Sequence, residues 1–185
     1  MDFQPRGLIY FALIAFFITG CSCKPGPPDL GTLRQQDDGY GILYGILKDE
    51  SQVGQIFVIK HADDRVGDLV RQVGDTCKAA TEKLDAFAKT DPTFALDLTN
   101  LPAIEVRSRD ITASRTTKQL LLSDGKTFEL RLIFTQAEAM NYIHTLCDAL
   151  RDHEQDPRRR EFLITLSQES ADLHDRLMAM LTVSL

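Results

Sequence analysis

Apolar side chains in this chain return every three or four residues over four long stretches, with prolines after the second and at the start of the fourth. That spacing gives a helix one apolar face, which must be buried against a neighbour. Ile42, Ile46, Glu50, Val53, Phe57 and His61 mark a helix over residues 38–62. Leu69, Val73, Thr76, Ala80, Leu84 and Phe87 mark a second over 64–89, closed by Asp91-Pro92, because the residue before proline is pushed out of the α region. Ala137, Ala139, Met140, Ile143, Leu146 and Leu150 mark a third over 127–151. Leu163, Leu166, Ser170, Leu173, His174, Leu177 and Leu181 mark a fourth over 157–181, opened by Asp156-Pro157 as cap and first helical residue. Residues 93–109 contain Pro102 and no clean period, and read as a crossover. Residues 111–122 read as a shorter helix with Asp110 as its N-cap. Residues 119–134 also fit a β-hairpin around Asp124-Gly125. The expected fold is all-α: a four-helix up-down bundle with a long crossover between helices 2 and 3.

The first residues carry a different message. Arg6 supplies a positive charge, residues 8–18 are apolar without a break, and small Gly20 precedes Cys21. The run is too short to span a bilayer as a mature helix, which takes about 20 residues, and has the layout of a secretory signal. Its end, Ile18-Thr19-Gly20-Cys21, resembles the bacterial lipobox. That resemblance implies cleavage after Gly20, a diacylglyceryl thioether on Cys21 and acylation of the new α-amino group. Two or more acyl chains anchor stably where one does not. Ser22, rather than aspartate, follows the cysteine, which points to the outer membrane and the periplasm. The expected organisation is a signal peptide over 1–20, a lipidated cysteine and Pro-rich tether over 21–36, and a helical bundle domain over 37–185. Three prolines between Cys23 and Asp29 suit an extended spacer.

The chain has 185 residues and a net charge of −6, which argues against a nucleic-acid partner, since that calls for a basic face. The partners expected are the membrane, through the lipid anchor, and an envelope protein. Cys77 and Cys147 each fall inside a helical pattern and read as buried free thiols. No Gly-rich phosphate loop, nucleophile elbow or close His/Cys metal spacing occurs, so no catalytic activity and no cofactor are expected. Arg158-Arg159-Arg160 sits among Glu154, Asp156 and Glu161 as a solvated face. Arg107, Arg109, Arg115 and Lys118 gather around the crossover, where they suit anionic head groups or a partner.

Ser123-x-Gly125-x-x-Phe128-Glu129, then Asp156-Pro157, Phe162 and His174, stand with Glu50 four residues before Gly54 and with Leu84. This pattern resembles the uncharacterised family of bacterial secreted ferritin-like bundles, over residues 49–180. The resemblance implies a carboxylate and histidine site on facing helices, with Glu50, Glu129 and His174 holding iron or another transition metal. The family's remaining histidine positions fall near Cys77 and Met140, and the chain has no Glu-x-x-His pair, the spacing that di-iron bundles use. Read from the residues alone, His174 is a core histidine with one hydrogen-bond partner. Glu50 and Glu129 read as helix-end acids paired with Lys or Arg.

Overall fold

The computed structural model describes residues 30–97 and 101–184. Every regular element among them is helical: α1 (Leu30–Glu50), a 3₁₀ helix (Val53–Val58), α2 (Asp64–Thr90), α3 (Ala103–Leu122), α4 (Gly125–Arg151) and α5 (Pro157–Ser184). The signal segment and Cys21 lie outside the described residues. No helix among the described residues is long and apolar enough to cross a membrane.

The start of α2 and the start of α5 follow the local chemistry read from the sequence. Asp63 accepts the Arg65 backbone N–H at 3.0 Å, and Asp156 accepts those of Arg158 at 2.7 Å and Arg159 at 3.3 Å. Each carboxylate satisfies first-turn donors that have no intrahelical partner. The α2 stripe of Leu69, Val73, Ala80, Leu84 and Phe87 is buried, as are Leu163, Leu166, Ser170, Leu173 and Leu177 of α5.

Three expectations need correction. The first helix starts at Leu30, inside the segment expected as tether to residue 36, and stops at Glu50 instead of residue 62. Ser51 turns its hydroxyl onto Lys48 O at 2.7 Å, competing with the backbone ladder. Val53 and Gly54, weaker helix formers, then continue as 3₁₀. The inward face of α1 is therefore Tyr40, Leu43 and Leu47, not Ile42 and Ile46. Next, α3 begins at Ala103, so the last seven residues of the expected crossover are helix. Pro102 accepts from Glu105 N at 2.8 Å and opens the helix rather than interrupting it, and Asp110 is interior rather than a cap. Finally, Asp124-Gly125 makes no hairpin. Gly125 takes φ 52° and turns the chain directly into α4, a conformation that costs glycine little.

α4 and α5 pack along much of their length, α1 lies against both α2 and α4, and α2 touches α4 and α5. α3 packs on α4, and Leu120 is its one buried side chain among the described residues. Beyond α2, Phe94 folds back onto the core, edge-on to Tyr40 at 4.7 Å and to Phe87 at 6.5 Å between ring centroids. The Arg159 guanidinium covers its ring at 4.9 Å.

Candidate functional site

Glu50, Glu129 and His174 are placed by three different helices, and each is engaged separately. Glu129, on the second turn of α4, accepts the Asp63 backbone N–H at 2.7 Å. Its partner is thus the start of α2 rather than a Lys or Arg. His174 contacts the Ala137 carbonyl through Nδ1 at 3.0 Å. A carbonyl only accepts, so Nδ1 carries the proton. Glu50 ends α1 against the Gln136 amide. Burial raises its carboxyl above the usual range, the Gln136 hydrogen bond opposes that, and Asp49 adds to it. Among the described residues, no three His, Cys, Asp or Glu side chains come together as a metal site.

Glu50 belongs to a polar patch with Gln136 and Cys77. Burial, with the charge of Glu50 adding to it, pushes the Cys77 thiol up to about 12. Gln136 Oε1 and Ser170 Oγ are buried without a hydrogen-bond partner. Ser170 lies on α5 between the two residues that cross to α4, Ser167 and His174.

One constellation not foreseen in the sequence has the residue types of a hydrolase: His144, Asp148 and Ser167. The proton arrangement that satisfies all of its contacts runs against that chemistry. Ser167 Oγ donates its single proton to Asp148 Oδ1 at 2.9 Å. It must therefore accept from His144 Nδ1–H at 2.9 Å, which also reaches the Ser167 carbonyl at 3.2 Å. The histidine gives a proton toward the serine where a general base would take one. Ser167 is also buried. This trio is a polar clasp between α4 and α5.

The other unforeseen group is Tyr40, Glu154, Arg159 and Asp91. The Glu154 carboxylate, wholly buried, receives Arg159 Nε at 3.0 Å and Nη2 at 3.2 Å, the Asp156 N–H at 2.7 Å and the Tyr40 hydroxyl. Burial alone would raise its pKa. The hydrogen bonds from Arg159, Tyr40 and Asp156 outweigh that and hold it below the usual carboxylate range. Burial and Glu154 together raise the Tyr40 phenol. Arg159 also reaches Asp91 at 3.0 Å. The only sequence signal for this network is the Asp156-Pro157 helix start, which shows where α5 begins but not what it meets.

A cleft of about 300 Å³ opens between the starts of α2 and α4 and the end of α5, lined by Asp63, Arg65, Val66, Lys126, Glu129, Ala179 and Met180. Asp63 Oδ1 accepts both the backbone N–H and Nε of Arg65, and Glu129 accepts the Asp63 N–H, so both carboxylates are tied to groups of the cleft's own rim beside Val66, Ala179 and Met180. Comparison with protein-family models, curated proteins and solved structures finds no match to the chain.

Proposed function

We propose that this chain is a lipoprotein of the bacterial cell envelope, anchored through Cys21, whose helical domain is a binding or structural module without catalytic activity. The observation that carries the reading is Ile18-Thr19-Gly20-Cys21 at the end of an unbroken apolar run. The lipid placement follows from sulfur chemistry at one position, and Ser22 directs the protein to the outer membrane, facing the periplasm. In this reading α1, α2, α4 and α5 form an up-down four-helix bundle of ferritin-like arrangement, with α3 in the connection between its second and third members. Two findings support a non-catalytic role. The Ser–His–Asp trio is wired against nucleophilic attack. Glu50, Glu129 and His174 each serve a separate structural contact.

The experiment is metabolic labelling with a clickable fatty acid in cells expressing the wild type and Cys21→Ser. Label on the wild type, with an unlabelled and unprocessed precursor from the variant, supports the assignment. Label that persists in Cys21→Ser refutes it.

A further inference from the structure

The outward side of α3 carries a stripe that the core does not explain. Ile104, Arg107, Ile111, Arg115, Lys118 and Leu122 succeed one another at steps of three and four, so they lie along one face of the helix. All six are exposed, Ile104 to 77%, Ile111 to 40% and Leu122 to 73%. Apolar and basic side chains are interleaved, and no acid lies on the stripe. Of the two acids on α3, Glu105 is half-buried and tied to Arg109 at 2.9 Å, and Asp110 sits on the flank. In a chain of net charge −6, this is a positive face. Lys60 binds Ser123 O at 2.9 Å and Asp124 at 2.6 Å, which brings exposed Val58 and Ile59 to the Leu122 end.

We propose that this face of α3 rests on an anionic lipid bilayer, with Ile104, Ile111 and Leu122 between head groups and Arg107, Arg115 and Lys118 on phosphates. The inference rests on the anchored-lipoprotein reading and adds a second contact to it. Two observations favour lipid over an acidic protein. A protein interface gathers its apolar residues at a centre and keeps its charged groups at the rim. Here cations and apolar groups share one face, so the long basic stems of Arg107, Arg115 and Lys118 lie beside Ile104, Ile111 and Leu122 while their charges reach outward to phosphates. The other observation is reach. The first residue of α1 stands nine positions beyond Cys21, a span of at most about 30 Å. Arg109 of α3 meets Tyr142 of α4 at 3.5 Å, so α3 runs antiparallel to α4 after their short turn. Its Ala103 end points toward the end of the molecule where Tyr40 of α1 meets Glu154, the end from which α1 enters.

The chain contains no tryptophan, so Ile111→Trp introduces a single indole, and Glu82→Trp on the exposed side of α2 gives its counterpart. Each full-length variant, purified from membranes, is reconstituted into phosphatidylcholine vesicles with or without brominated phosphatidylglycerol. Flotation reports attachment, fluorescence reports depth, and circular dichroism reports folding. Both variants should float, with bromine quenching at position 111 several-fold that at position 82. Changing Arg107, Arg115 and Lys118 together to Gln should abolish the difference while the helical spectrum persists. Floating vesicles with an unquenched indole at 111, or equal quenching at both sites, overturn the docking and leave anchorage standing. An acidic protein as the true occupant gives this result. Failure to float overturns the anchorage, and the docking with it.

Discussion

Arg159 meets Glu154 with two parallel hydrogen bonds, Nε to Oε2 at 3.0 Å and Nη2 to Oε1 at 3.2 Å, around a carboxylate that water does not reach. A buried charge of this kind is held by its partner, and the destabilisation comes from removing one side. Glu154→Gln should lower the unfolding free energy by about 2 kcal/mol, less than the ~3–5 kcal/mol of a fully isolated pair, because Arg159 keeps Asp91. The carboxyl titrates below its ordinary range in the folded state, so its contribution is complete above the unfolded pKa. It fades as pH falls through the folded value. Urea melts at several pH values should show wild type and Glu154→Gln converging in acid.

Glu50 has the opposite sign. Its folded-state pKa is raised, so its contribution to stability is complete below the unfolded value near 4.5 and is lost as pH rises through the folded value. Glu50→Gln should therefore be more stable than wild type at pH 7 and no more stable below about pH 4.5. Thermal melts across that interval check it. A variant less stable at pH 7 would mean that the ionised carboxylate is held by more than Gln136.

Cys77 and Cys147 are both buried free thiols. Burial first, and then Glu50 for Cys77 and Asp148 for Cys147, pushes each from 9.0 up to about 12. The thiolate is the reactive form, so at neutral pH the folded protein should carry about a thousandfold less of it at these sites than an ordinary cysteine. Alkylation under native conditions should spare both residues, and urea should expose both together. Mass spectrometry of the non-reduced, alkylated chain reads the result, and a Cys77–Cys147 bridge would contradict the fold.

Gly125 tests the turn into α4. Its φ is 52°, and a Cβ placed on it would meet nothing within 4 Å, so the position requires a backbone conformation rather than space. Gly125→Ala should cost about 1 kcal/mol. Gly125→Asn should cost less, since asparagine tolerates this region better. Thermal melts of the two variants compare them, and equal losses for both would point to a steric cause.

The residues explain which of these features the sequence discloses. The α2 stripe of Leu69, Val73, Ala80, Leu84 and Phe87 is legible because one face carries nearly all the large apolar groups and Asp91-Pro92 stops the helix. In α1, Leu43 and Leu47 recur with the same spacing as Ile42 and Ile46, so local period alone leaves the inward side undecided, and contact with α2 and α4 selects it. α3 hides from periodicity because only Leu120 is buried. Within it, Glu105 and Arg109 pair one turn apart, a local support that hydrophobic periodicity does not register. The Tyr40–Glu154 contact joins residues 114 positions apart, and the Glu129 link to Asp63 joins residues 66 apart, separations that no local motif encodes.

The proposed membrane anchorage turns on one atom, the Cys21 sulfur. Intact-mass and N-terminal peptide spectrometry of the protein extracted from cell membranes reads its chemical state. The expected species is a chain that begins at Cys21, lacks residues 1–20, and carries a diacylglyceryl group on sulfur with a further acyl chain on the α-amine. A chain that retains Met1, or one that begins at or beyond Cys21 with an unmodified thiol, would contradict the lipoprotein assignment.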